Sequence, residues 1–451
     1  MEIRKNRQSI LMVALMLIGG GLFFFILGEN GTILCKDSIQ YLEYTDFNAV
    51  MPFYPAFINV IRWIFGEQDF MQYIFVVQGL IALFCSLYFA MFLKKHLDLC
   101  MINTVIVFML SLFPYAYSLP EYVSSHEVMT ESLAFPIFYL FFASLISLHD
   151  ELSLVNLVKA GVSLLLLVML RTQLIFLVGI VAVVFLVKII RENDLKENQL
   201  LIKRSVFVIA IGILIVAAVL GVKEKRAENS GEKASQFVNA FFGKALTIMD
   251  EEDIKYFETE QSKRMFEFVY KGVDEQKWRL PYAQDGLLMW EDLIHYYNEN
   301  MKLGNDLLYE FYSEINPDYG YYEKLALVEE GKSEIVQTVI GNNVGTFLFS
   351  FLLLLPSSFL SMVFIQKRSI YLFCNIYAII FYALYLFLLY QCLKKKQWKE
   401  AYFAILSFAI SVVNVVCTNI VHYGLQRYLI YTMGVLYISM FLMVYRMKKL
   451  Q

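Results

Sequence analysis

The run S-I-L-M-V-A-L-M-L-I-G-G-G-L-F-F-F-I-L-G (residues 9–28) carries no charge and one hydroxyl, at its first position. A helix rises 1.5 Å per residue, so a run of this length reaches across a hydrocarbon core of about 30 Å. It is long for the apolar part of a secretory signal and has no clear A-x-A cleavage site, so it reads as a retained membrane span. The rest of the chain agrees. It is 59% apolar and 18% charged with mean hydropathy +0.56, whereas a soluble domain has about 45–50% and 25%. The expected fold is therefore an all-α polytopic membrane protein.

Further apolar blocks place spans near 71–93, 101–118, 132–148, 156–170, 174–190, 205–222, 370–391, 400–419 and 428–447, which gives about ten. With that assignment M-E-I-R-K-N-R (1–7), L-K-K-H (93–96), 188–204, K-K-K-Q-W-K (394–399) and the C-terminal R-M-K-K fall on one side. With Lys159, near the same end of its span, that side carries 18 Lys/Arg, against six opposite outside the large loop: Lys36, Arg62, Arg171, Lys367, Arg368 and Arg427. Positive residues mark the cytoplasm, so both termini are expected inside a plasma membrane. Residues 344–365 are apolar enough to span, but doing so would carry K-K-K-Q-W-K outside. The preferred reading is an outer-face interfacial or re-entrant helix broken near Pro356; eleven or more spans is the alternative.

Three parts follow: an N-terminal core (1–222) with its first outer loop (29–70), an outer segment (223–343), and a C-terminal part (344–451). Residues 223–342 hold 14 Lys/Arg and 24 Asp/Glu. Helical spacing of apolar residues in 262–273 and 287–297 predicts a compact, mostly helical outer domain. The six cysteines show no C-x-x-C spacing, which argues against a metal knuckle or disulfide framework. Neither G-x-G-x-x-G nor G-x-x-x-x-G-K-[ST] occurs, against a nucleotide-driven transporter. No nucleic-acid partner is expected.

The outer loops concentrate the reactive residue types. K-D-S-I-Q-Y (36–41) follows the first span and leads through M-P-F-Y-P (51–55) into an amphipathic run, 52–66, which reads as an interfacial helix with Arg62 and Trp63 at headgroup depth. Asp37 is thereby held near the membrane, with Lys36, Tyr41 and Tyr54 around it. The second outer loop carries His126, Glu127 and Glu131. Ser124 and Glu127 fit a capping box, and Glu127 and Glu131, four apart, are expected on one face of the helix entering span four. Glu131 lies deeper, where a carboxylate needs a partner or a cavity. Arg171 falls at an outer turn, and His422 and Arg427 precede the final span. Taken singly, Asp37 reads as a solvated acid and the basic residues as headgroup anchors. Converging, these groups would suit a phosphate-bearing lipid.

The order of short motifs resembles the C-type glycosyltransferases, nearest the protein-O-mannosyltransferase and aminoarabinose-transferase branch. The motifs are D-S-x-x-Y (37–41), P-x-Y-P (52–55), T-E-S-L-A (130–134), R-T (171–172) and H-Y-x-x-x-R-Y (422–428). The likeness covers the topology of most of 1–222 and again 400–447. It implies a transferase that takes a sugar from a polyprenyl-phosphate donor to a glycan, lipid or protein acceptor on the outer face. Asp37 matches the family's first-loop catalytic acid, although K-D-S stands where protein mannosyltransferases commonly have a D-E pair. Asp37 would take the acceptor's proton in an inverting displacement. Lys36, Arg171, His422 and Arg427 would serve the donor phosphate, and Glu131 and His126 would orient Asp37 or hold a divalent ion. A lipid-linked-oligosaccharide flippase is the alternative, although its spans should carry deep polar groups, which are scarce here.

Overall fold

The computed structural model describes residues 2–28, 31–35, 37–44, 50–116, 118–119, 122–123, 127–191, 236–284, 288–364, 370–421 and 426–449, with scattered positions between 206 and 221. Nearly all are helical. The helices are α1 (Glu2–Leu27), α2 (Ser38–Leu42), α3 (Phe53–Phe65), α4 (Phe70–Leu97), α5 (Met101–Ala116), α6 (Glu131–Asp150), α7 (Leu154–Leu170) and α8 (Leu177–Arg191). They continue with α9 (Gln236–Ile248), α10 (Glu260–Glu275), α11 (Leu288–Ile315), α12 (Tyr321–Asn342), α13 (Val344–Val363), α14 (Tyr371–Lys394), α15 (Trp398–Val421), α16 (Gln426–Leu429) and α17 (Met433–Lys449). The described strands are two residues each, Ser118–Leu119 paired antiparallel with Tyr122–Val123. Seven of the described helices are long and apolar enough to cross a membrane, and this makes the chain a multi-pass membrane protein. All six cysteines are free thiols.

The chain forms two compact units. The first comprises residues 1–224, 380–414 and 430–451. Its core is aromatic and aliphatic, centred on α6, whose apolar side chains are buried almost all round. A helix buried on every side needs no amphipathic stripe, and α6 shows none. Antiparallel α6 and α7 pack most extensively, joined by the short turn at 151–153. At one end of this unit lie the last turns of α4, α6 and α8 and the first turn of α15. There His96 Nδ1 meets Asp150 Oδ2 at 2.9 Å, Lys188 Nζ donates to the Asp150 carbonyl at 3.0 Å, and Lys399 Nζ donates to the His96 carbonyl at 3.1 Å. Arg446, near the end of α17, binds Glu400 at the same end. Three segments grouped by the charge count, 93–96, the start of 188–204 and 394–399, thus meet at one end of the bundle.

Helix α3 behaves as its sequence asks. Tyr54, Pro55, Ile58 and Ile61 are buried on one face, while Val60, Trp63 and Ile64 are exposed. An exposed Trp-Ile pair beside a buried apolar face suits a helix lying in a lipid interface. Arg62 is held by Glu67 at 3.2 Å and lies 4.5 Å from the Phe70 ring centroid.

The second unit comprises 225–379 and 415–429, and so takes in α13 along with nearly all of the outer segment, from 225 onward. Its core joins α9, α10, α11 and α12. Within it Lys244 is fully buried and donates to the carbonyls of Asn419 and Ile420 in the last turn of α15, where the helix dipole favours a cation. Burial lowers its pKa to about 7. One expectation is corrected: α13 is not broken near Pro356 but runs as one helix from Val344 to Val363 through it. A proline removes one backbone N–H and crowds the carbonyl four residues back; α13 absorbs this while packing against α9, α11 and α12.

The middle glycine of G-G-G (19–21) supports the first helix's docking. A Cβ on Gly20 would run into Leu83 Cδ1 and come within 2.9 Å of Phe108 Cζ, whereas one on Gly19 or Gly21 would meet nothing within 4 Å. Gly20→Leu should therefore lower the thermal unfolding midpoint in lipid, since overpacking costs about 1–3 kcal/mol. Gly19→Leu should leave it within error, and equal effects of the two variants would refute this packing.

Candidate functional site

The candidate site forms where the starts of α4 and α6, the end of α7 and the approach to α17 come together within the first unit. Glu131 is the first residue of α6 and is 5% exposed at its side chain; Arg171, just past α7, is 13% exposed. The Arg171 guanidinium binds Glu131 Oε1 through Nη2, and its Nε donates to the Tyr431 hydroxyl at 3.2 Å. Thr130 Oγ1 donates to the other carboxylate oxygen, Oε2, at 3.0 Å. The pair is buried with both carboxylate oxygens bonded, as a charge pair away from water requires.

Loop 1 lies over this pair. Tyr41, on the single turn of α2, is buried and meets the Tyr54 ring edge-on at 5.1 Å. Burial pushes its hydroxyl up to about 12. Arg171 opposes that rise, Glu131 adds to it, Thr130 bonds the hydroxyl and opposes it, and Asp37 adds a smaller push. The Tyr41 hydroxyl therefore stays protonated at neutral pH, within the fields of all three charged groups. Asp37 caps α2 from its N-terminal side and is half-buried. Cys35 and Ser38 tighten the same turn, with Cys35 N donating to Ser38 Oγ at 2.9 Å.

Loop 1 and loop 2 are joined through backbone. Ile33 and Glu127 form a parallel bridge, and Val128 N donates to Ile33 O at 3.1 Å. Tyr54 donates to Gln78 Oε1 at 2.6 Å, and Gln78 Nε2 donates onward to the Glu127 carbonyl at 3.2 Å. Ser132 Oγ donates to that same carbonyl at 3.0 Å. Thr32 Oγ1 bonds the Met71 carbonyl at the start of α4.

This geometry corrects the helical placement of Glu127. It is buried but extended, and α6 begins only at Glu131 with Thr130 at its N-cap, so the two glutamates do not share a helix face. The bridge to Ile33 holds this segment extended, so the helix begins only after it. Ser124 and His126 lie outside the described residues, as do Lys36 and His422; the side chain of Arg427 does too, although its backbone belongs to α16. Of the expected site residues, Asp37, Tyr41, Tyr54, Glu127, Glu131 and Arg171 gather in one place. Arg171 holds a carboxylate there, which changes its part from a lone cation awaiting phosphate to the counter-charge of Glu131. Tyr431 and Gln78 were not foreseen, and Thr130 entered only as the first residue of T-E-S-L-A (130–134), with no role of its own. Gln78 left a signal, an amide inside the otherwise apolar α4; Tyr431 left none. Among the described residues no three His, Cys, Asp or Glu side chains group as metal ligands.

Compared with known proteins, the chain matches no family model, no curated protein and no solved structure.

Gln78→Leu should remove the bond to the Glu127 carbonyl and strand the Tyr54 hydroxyl. A buried group left without its partner costs about 1–3 kcal/mol. Hydrogen exchange at the Val128 amide should then quicken by tenfold or more. Unchanged exchange would show that Gln78 does not hold the two loops together.

Proposed function

We propose that the protein transfers a sugar from a polyprenyl-phosphate donor to an acceptor on the outer face of a plasma membrane, by one inverting displacement. The observation that supports this most is the placing of the Asp37 carboxylate with the Glu131–Arg171 pair around Tyr41, in a loop backed by an interfacial helix. The resemblance of the outer-loop motifs to C-type glycosyltransferases supports it as well. Ten spans, with the Lys/Arg-rich bundle end in the cytoplasm, put this site on the outside. In that arrangement α13 lies at the outer interface against the helices it packs with.

The chemistry then follows from the donor. The acceptor oxygen attacks the anomeric carbon while Asp37 takes its proton; the new C–O bond forms as the bond to the phosphate oxygen breaks. The electron pair leaves with the polyprenyl phosphate, whose charge needs stabilisation rather than a proton. Lys36 and Arg427 are assigned to that phosphate. Arg171, already opposed by Glu131, keeps the carboxylate and Tyr41 in register, and Tyr41 offers a neutral O–H donor. Apolar helix α3 brings the site to the depth of a lipid headgroup, where such a donor is within reach.

Purified protein in lipid, given a radiolabelled polyprenyl-phosphate sugar and a cell extract as acceptor source, should release free polyprenyl phosphate. Asp37→Asn keeps the shape but cannot accept the proton, so release should fall about 10²–10⁴-fold with donor binding retained. Equal release by both proteins would remove Asp37 as the base, and donor movement across the bilayer without release would favour a flippase. For the orientation, a membrane-impermeant thiol reagent on intact cells should label Gln276→Cys and not Lys395→Cys, both exposed positions. The reverse pattern would put the site in the cytoplasm.

A further inference from the structure

The second unit buries an amine that the transfer chemistry does not use. Lys244, on α9, is fully buried, and its Nζ donates to the carbonyls of Asn419 and Ile420. Those carbonyls belong to the last turn of α15, which a helix cannot satisfy from within. Rings from three helices surround the amine: Phe241 of α9 at 5.2 Å, Tyr297 of α11 at 5.9 Å and Phe347 of α13 at 6.0 Å from their centroids. Tyr297 is the titratable group among them, and its hydroxyl donates to the Ala240 carbonyl at 3.0 Å. The neighbouring Gly243 lets α9 approach α11, since a Cβ there would come within 2.6 Å of the Tyr297 carbonyl. Ser358 of α13 holds the same turn of α15 from another side, donating to Asn419 Oδ1 at 2.9 Å. Helix α16, which carries the backbone of Arg427, also packs on α13.

We propose that Lys244 is a positioning residue: it clamps the last turn of α15, and with it the chain leading to Arg427, and uptake of a proton releases the clamp. Burial makes the clamp sensitive to protons, because it lowers the amine to about 7 from its ordinary 10.5. When the turn opens, the amine reaches water and keeps its proton up to about pH 10.5; closed, it keeps it only below about pH 7. Between these limits the open state binds one proton more. Each unit of rising pH therefore favours closure about tenfold, and that gain is lost as pH falls toward 7. A neutral amine retains two N–H donors, so both carbonyls stay bonded in the closed form. A histidine ordinarily titrates near about 6.5, so His422, which follows Ile420 by two positions and lies outside the described residues, is set apart by working above pH 7.5. The part played by Arg427 rests on the transferase reading; the clamp does not.

Hydrogen exchange followed by mass spectrometry, on the full chain in phosphatidylcholine vesicles between pH 7.5 and 9.5, reads the clamp at the amides of 418–421. The amides of 339–342, in the last turn of α12, are the internal reference for the ordinary effect of pH on exchange. Relative to them, exchange at 418–421 should slow about tenfold per pH unit in the wild type. Lys244→Met, similar in shape but without a titrating group, should abolish that slope. At pH 9.5, where the wild-type clamp is shut, the variant should also exchange about tenfold faster at 418–421, having lost the bonds to the two carbonyls. The proposal is overturned if the wild type shows no such slope, which is read without any variant. It is equally overturned if Lys244→Met keeps the slope or matches the wild type at pH 9.5. With the polyprenyl-phosphate sugar, Lys244→Met should raise the donor KM about tenfold with kcat held, as the fraction of protein with Arg427 in place falls. An unchanged KM beside altered exchange would refute the positioning role. Wild type that turns over no donor contradicts the transferase reading, while the exchange slopes still decide the clamp, so the two fail separately.

Discussion

Glu131 and Arg171 form the contact on which the described site depends. Each sits at the apolar end of a helix where a single charge is costly. Together, with Thr130 and Tyr431 completing their bonds, they are tolerated and fix three elements at once. The pair closes the α6–α7 hairpin at the end opposite its turn, and Tyr431 ties in the approach to the last helix. Breaking such a pair costs more than forming it yields, because the survivor is left buried and uncompensated. That asymmetry holds one arrangement of the helix ends.

The loops above it are held by neutral hydrogen bonds. Ile33 pairs with Glu127, and a relay runs from Tyr54 through Gln78 to the same backbone. Bonds of this kind contribute about 1 kcal/mol each but lose more when one partner is removed. Charge therefore sets the helix ends, and the uncharged relay sets the height of loop 1 above them. Asp37 inherits its position from both, which the proposed transfer chemistry requires of a side chain on a loop.

Much of this was legible in the sequence because hydrophobicity and charge are written locally. Length and composition show that 9–28, 70–97 and 371–394 are suited to spanning. The grouping of 93–96 with 394–399 followed from counting lysines and arginines, and the Lys399 bond to His96 realises it. Glu131 stood out as a carboxylate too deep for its charge, whereas Asp37, Tyr41 and Arg171 were chosen for their places in the outer loops and turns. What escaped was tertiary. The extended state of Glu127 depends on Ile33, 94 positions earlier, and no local pattern records that partner. Tyr431 bonds Arg171 across 260 positions. Pro356 misled in the other direction, because packing kept a helix whole where the local rule expects a break.

A double-mutant cycle on Glu131 and Arg171 tests the central claim, with unfolding free energy measured in lipid for Glu131→Gln, Arg171→Gln and the double variant. Each single change should cost about 3–5 kcal/mol, because it strands a buried charge. The double variant, two neutral amide side chains, should be markedly less unstable than the sum, with a coupling of about 2 kcal/mol or more. Small, additive single effects would contradict the account: the two charges would then be solvated separately, and nothing would hold loop 1 and its carboxylate over the helix ends.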